Sequence, residues 1–316
     1  GDPTRVDFTA LYDFDSWPSV NFFYVPRPKS QDKITAWCEF QDSLVIFTHE
    51  TKHNVIGSSI STFERKEAVG TKGALSQEAI AVDRNLIYFV ADDKMIYAYN
   101  GSTDKLVSGK LEPELQQADP RSFRLHIYRN QLRVYYKIAA TGERKMLILD
   151  IEQDQWFMDT GREVLGSIEW TQNNNELVEF SSRGGWVFTG ETGESDLGKA
   201  IDFKYWTAYK NYGSGAAKDR IKRFRPIVRP ASSAYYLSVG RDINFNNTPD
   251  MRPWLVNSGG AVWGSFVWGD GTKWGGTKLI DNRAAMSGRG KHTQYRFEHS
   301  GVNQPVELYG YIALIK

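Results

Sequence analysis

The chain has a single cysteine, Cys38, and five histidines in 316 residues. One cysteine excludes an intrachain disulfide and any thiolate metal cluster. Cys38 lies in the apolar run TAWCEF, where a buried small hydrophobe is the expected role. Long apolar runs are missing as well, for nothing approaches the roughly 18 residues that a membrane-spanning helix needs. No signal-peptide pattern opens the chain, and its start, GDPTRVDF, lacks a methionine and reads as a cut or trimmed terminus. Neither sign of charge is in excess, with 39 Lys+Arg against 38 Asp+Glu and a net charge of +1. Contact with nucleic acid or an anionic membrane therefore has to come from a local patch. Helical periodicity is scarce, and its best candidate is the short polar stretch LEPELQQA at 111–118.

What is abundant is strand and turn material: 14% aromatics and 28 glycines. Short β-rich runs are punctuated by Asn, Asp and Gly. Four segments share one layout, strand, polar turn, strand, polar turn, strand. The turns Gln41-Asp42-Ser43, Asp83-Arg84-Asn85, Arg129-Asn130-Gln131 and Asn173-Asn174-Asn175 introduce strands whose first apolar residues are Leu44, Leu86, Leu132 and Leu177. These leucines are 42, 46 and 45 residues apart. A period of roughly 40–50 residues with about four strands per unit is that of a β-propeller blade.

The expected fold is therefore all-β and propeller-like, with about five to seven blades of short antiparallel strands. Residues 1–34 form an N-terminal arm placed to close the ring, residues 35–200 the repeat-bearing blades, and residues 201–316 divergent blades of the same propeller.

The segment FTHETKH at 47–53 carries H-E-x-x-H, with His49, Glu50 and His53 at zinc-protease spacing. That chemistry needs a helix, where residues four apart share a face. The repeat alignment instead puts His49 at the end of one strand and His53 at the start of the next, both as solvent-side turn residues. Fully extended, the two would lie about 13 Å apart, too far to share a metal. The match is read as chance, and nothing in the sequence calls for a catalytic residue, a metal or another cofactor.

Two other features compete for a role. The basic run Lys218, Arg220, Lys222, Arg223, Arg225 and Arg229 suits a channel wall facing DNA, since phosphate contacts need only positive charge. The competing reading is a solvated edge strand, because Pro226 and Pro230 cannot donate ladder hydrogen bonds. The Gly/Trp-rich stretch at 259–276 carries Trp263, Trp268 and Trp274, and Trp254 precedes it. Aromatics between glycines can stack on sugar rings, yet inward packing is the favoured reading. Trp263 and Trp268, five apart, cannot share one face of a regular strand. The phrase DGTKW at 270–274 partly matches a sialidase Asp-box, with different spacing and no recurrence.

The phrases LVIFTHETKHNVIGSS and GALSQEAIAVDRNLIYFVADDKMIYAYNG resemble the virion β-propeller proteins of short-tailed bacteriophages, the tail nozzle or packaged-DNA stabilisation family. The matching positions are Phe47-Thr48, Ile56-Gly57, Gly73, Ser76, Phe89, Asp92, Asp93, Tyr97, Tyr99 and Gly101. The resemblance continues in WPSVNFF, in IDFKYWTAYKNYGSGAAKDRIKRFRPIV and in the terminal GRGKHTQYRFEHS and VELYGYIALI. Lys94 stands where the family often has Gly after the paired acids.

The resemblance implies a non-enzymatic structural protein of a phage or prophage virion, assembled in the bacterial host cytoplasm. Its partners would be further copies in a ring, the portal and adaptor proteins, and packaged DNA contacted without sequence preference. A receptor- or glycan-binding module using the Trp/Gly-rich face is the alternative, and a hydrolase the more remote one.

Overall fold

The computed structural model describes the chain apart from residues 1, 10–12, 14, 26–30, 58–61, 69, 71, 162, 173–174, 182–183, 194, 196–197, 212–218, 230–233, 258–278, 281, 287 and 316. It is all-β, built from small antiparallel sheets. The one α-helix among the described residues is the four-residue Glu112–Leu115, inside the stretch expected to be helical. Two compact units divide the chain, Gly1–Glu191 and Thr192–Lys316.

The first unit opens with β1 (Arg5–Asp7) paired to β2 (Phe22–Tyr24), so the described strands of the expected closing arm pair with each other. Three four-stranded meanders follow in strict chain order. They are β3 (Ile34–Phe40), β4 (Ser43–Thr48), β5 (Lys52–Ile56) and β6 (Glu64–Glu67); then β7 (Ile80–Val82), β8 (Ile87–Val90), β9 (Ile96–Tyr99) and β10 (Asp104–Leu106); then β11 (Arg124–Tyr128), β12 (Gln131–Lys137), β13 (Arg144–Asp150) and β14 (Gln155–Thr160). A three-stranded meander, β15 (Val164–Trp170), β16 (Glu176–Ser181) and β17 (Val187–Thr189), closes the series. The second strands begin at Ser43, Ile87, Gln131 and Glu176, so the spacing is 44, 44 and 45 residues. This is the sequence repeat made physical.

The turn chemistry explains the hairpins. Gln41 and Asp42 have φ of 48° and 59°, and Arg129 and Asn130 have 47° and 61°. Two successive left-handed residues make the turn whose twist matches that of the flanking strands. In the hairpin between β8 and β9, Lys94 takes φ 64°, the position the resemblance assigns to glycine. Ala91 N donates to Met95 O at 3.0 Å and Lys94 N to Ala91 O at 2.9 Å, which closes that loop.

Consecutive meanders pack face to face. Ala36, Cys38, Phe40, Val45 and Phe47 of the first meet Ile87, Phe89 and Tyr99 of the second, with the Phe47 and Phe89 rings 5.3 Å apart. Ala81, Tyr88 and Val90 meet Leu132, Val134 and Leu147 of the third. Tyr135 and Met146 meet Val164 of the fourth. Middle strands such as β8 are thus buried on both faces, whereas β6 (ERKE) is exposed throughout, an edge guarded by charge. The first strands are neighbours in turn: β7 touches β3 and β11, and β11 touches β15. Cys38 sits in the first of these cores, where burial pushes its thiol up to about 12.

The second unit has an interleaved order. One sheet runs β18 (Phe203–Trp206), β23 (Thr293–His299), β20 (Tyr235–Ile243), β21 (Asp250–Val256); the other runs β22 (Arg289–Gly290), β19 (Asp219–Val228), β24 (Leu308–Ile315). Ile221, Phe224 and Val228 of β19 pack against Leu237, Val239, Trp254, Tyr295 and Phe297 of the four-stranded sheet. The unit is a two-sheet sandwich around that core. The expectation of further blades over 201–316 therefore meets a different strand order from that of the repeats.

Candidate functional site

The H-E-x-x-H segment is a hairpin. Phe47 pairs with Lys52 and Ile46 with His53, and Thr48 N donates to Thr51 O at 2.9 Å. His49 and Glu50 form the exposed apex. Asp32 holds the turn by accepting from Thr48 Oγ1 at 2.7 Å, Glu50 N at 3.1 Å and Thr51 Oγ1 at 3.3 Å.

His53 corrects the expectation of a solvent-side residue, for it is only 2% exposed. Its Nε2 lies 3.1 Å from Thr51 Oγ1, and its Nδ1 is buried without a partner. Burial lowers its pKa, despite the nearby Glu67 carboxylate, so the ring is neutral. One imidazole thus faces solvent and the other the interior. No group of three His, Cys, Asp or Glu placed to hold a metal occurs among the described residues.

Beside it, Lys52 is fully buried with Nζ 2.8 Å from Asp104 Oδ2 on β10 and 2.6 Å from Lys72 O. The ammonium also lies 4.8 Å from the Phe89 ring centroid and 5.2 Å from that of Tyr99. This ion pair ties the first meander to the second.

The basic run is carried by β19. Lys218 lies outside the described residues, and Arg220 and Lys222 are placed by backbone alone, Arg220 opposite Arg289 and Lys222 at a bulge between Ile221 and Arg223. After the bulge the strand alternates, with Phe224, Pro226 and Val228 buried and Arg223, Arg225 and Arg229 on the opposite face. Arg229 pairs with Glu307 at 3.1 Å.

The edge-strand expectation is overturned: β19 runs between β24 and the segment holding Ile280 and Ala284. Pro226 is tolerated because its nitrogen faces the latter side. There only isolated bridges form, Val228 with Ile280 and Phe224 with Ala284, and they leave the position between them unbonded. Across the outward face, Leu314 stands opposite Arg223 and Ile312 opposite Arg225, each about half exposed. Of the tryptophans, Trp263, Trp268 and Trp274 lie outside the described residues, and Trp254 is 5% exposed in the core.

A cleft of about 520 Å³ opens among the first strands β7, β11 and β15. His126 and Ser167 line it, with Tyr135 behind them. The Tyr135 hydroxyl donates to Ser167 Oγ at 2.8 Å, and Ser167 Oγ lies 2.9 Å from His126 Nδ1. The serine accepts from the tyrosine and meets Nδ1 either as donor or as second-lone-pair acceptor, according to the His126 tautomer. Burial, then the Arg133 charge, lowers the His126 pKa. Burial likewise pushes the Tyr135 hydroxyl up to about 12.

Behind the tyrosine, Glu179 Oε1 lies 3.5 Å from its hydroxyl and 3.7 Å from Arg133, both charges buried, and Arg133 also meets Glu191. A serine aimed at a neutral imidazole is part of a nucleophilic pair, but such pairs need a third group to orient the ring. His126, Ser167 and Tyr135 form one polar wall of the cleft, with no orienting group on Nε2 among the described hydrogen bonds. Sequence reasoning missed it because His126, Tyr135, Ser167 and Glu179 come from four strands and form no local motif.

No protein-family model matches the chain, and no curated protein matches it either. Among solved structures, a chain described as a glycoside hydrolase is similar over 90% of this chain and 85% of its own, at 8% identity and a TM-score of 0.25. A likeness that loose carries neither fold nor chemistry across. No helix among the described residues is long and apolar enough to cross a membrane.

Proposed function

We propose that the chain is a non-enzymatic structural subunit of a phage or prophage virion tail, of the nozzle or DNA-stabilisation type. In this reading the four meanders of residues 34–189 act as blades of β-propeller type. The observation that carries it is the order of the first unit: consecutive meanders at a constant spacing, packed face to face, with neighbouring first strands. Stacked sheets with both faces of the middle strands buried make a stiff wall, which a channel-lining ring requires. The family resemblance points the same way.

The partners are further copies of the chain and the portal and adaptor proteins. The face bearing Arg223, Arg225 and Arg229 is the proposed contact with packaged DNA. Co-expression with the portal and adaptor proteins of the same genome tests the assignment. A stable complex containing several copies is expected, and recovery of the chain apart from both proteins would count against it. The DNA contact has its own test. Replacing Arg223 and Arg225 with Ala should reduce the slope of log affinity against log salt by about 2.

A further inference from the structure

We infer that the outward face of the sheet β18-β23-β20-β21 binds neutral carbohydrate chains. This inference is independent of the tail assignment. The inner face of that sheet belongs to the sandwich core, and its outer face presents Trp206, 49% exposed, and Tyr236, 62% exposed. Tyr236 lines a groove of about 430 Å³ together with Asp202, Lys204, Ser238, Glu298 and His299, and Trp206 stands outside that lining, two residues along β18 from Lys204. The registers put Lys204, Glu298 and Ser238 in one row across three strands. Trp206 sits on one side of that row and Tyr236 on the other. From strand geometry the two aromatic positions are about 16 Å apart, a span suited to a short oligosaccharide.

Two observations point to a sugar. The first is that Trp206 is exposed yet held. Its Nε1 donates to Glu298 Oε1 at 2.9 Å, and the Arg296 guanidinium stands 4.2 Å from its ring centroid. Arg296 is itself fixed by the buried Asp242 at 2.8 Å and by Gln294 at 2.8 Å. A solvent-facing ring anchored by a buried ion pair loses little freedom on binding, as a stacking platform should. The second is charge. The carboxylates of Asp202 and Glu298 stand beside the single ammonium of Lys204, which disfavours a polyanion and suits hydroxyl groups that both donate and accept. Aromatic surface for the apolar face of a pyranose and polar groups for its edge are then present together.

The experiment is affinity electrophoresis of the full chain through gels containing dextran, laminarin, mannan or, as the anionic arm, heparin. Retardation by at least one neutral polymer is expected. W206A and Y236A should each weaken it roughly tenfold. Y309A, an exposed tyrosine on the other sheet, should leave it unchanged. Tyr236 projects from the surface, so Y236A reports on binding even if W206A disturbs Arg296. Retardation by heparin alone, by no neutral polymer, or undiminished in Y236A would overturn the inference.

Discussion

Replacing Lys52 with Met removes the positive half of a buried inter-meander pair while keeping the length of the side chain. The ammonium has no solvent access, and the Asp104 side chain is 10% exposed. Without Lys52, the Asp104 carboxylate stays beneath the packed sheets with no cation, and its Oδ1 already lacks a partner. Removing one member of such a pair costs about 3–5 kcal/mol, chiefly the desolvation of the charge left behind.

For a unit of this size, each kcal/mol lowers the melting temperature by about 2–4 °C, so K52M should melt at least about 6 °C lower. Adding D104L removes the stranded charge and should recover most of the loss, giving a coupling of about 2 kcal/mol or more in a double-mutant cycle. Burial holds the Lys52 pKa below its ordinary value of 10.5, opposed by the bond to Asp104. Between the lowered folded value and 10.5 the unfolded chain binds more protons, so stability rises with pH in that window, a slope K52M must lack. Thermal unfolding by circular dichroism reads both effects. Additive losses, or a K52M loss below about 1 kcal/mol, would refute the reasoning.

Three further outcomes follow. His53 and His126 both have pKa values lowered by burial from 6.5, so as pH falls below 6.5 the unfolded chain takes up protons first and stability drops. Urea titrations at pH 7 and pH 5 should show that drop, and H53F should reduce it; an unchanged slope would sink the assignment. K94G relieves a left-handed residue and should stabilise the chain by about 1 kcal/mol, less whatever the Lys94 Nζ bond to Gln116 O at 2.8 Å contributes. A lower midpoint in urea would show that bond to matter more than the backbone. Finally, protein dialysed after zinc loading should retain no stoichiometric zinc by mass spectrometry. One retained equivalent lost in H53A would reinstate a metal site.

Much of the first unit was legible because its information is local. Asp42 and Asn130 are residue types that tolerate left-handed backbone, and each sits in the turn that sets the register of its own hairpin. The repeat was visible for the same reason, since each meander joins strands adjacent in sequence. The burial of His53 was not, because it follows from the place of β5 between β4 and β6, where His53 stands opposite Ile46 on one side and Glu67 on the other.

The second unit hid its order because its pairings are distant. Trp206 bonds to Glu298 across 92 residues, and β19 reaches the very end of the chain. Pro226 suggested an edge, yet its missing donor falls where the sheet makes only isolated bridges. The polar wall of His126, Ser167 and Tyr135 was invisible for a related reason. Each residue is ordinary in its own strand, and only the packing of two meanders joins them.

Electron cryomicroscopy of the chain co-assembled with portal and adaptor proteins tests the central claim most directly. The account predicts a ring of several copies below the adaptor, with the meanders of residues 34–189 resolved as blades around a common axis in each copy. A complex without such a ring, or meanders stacked with no shared axis, would contradict it.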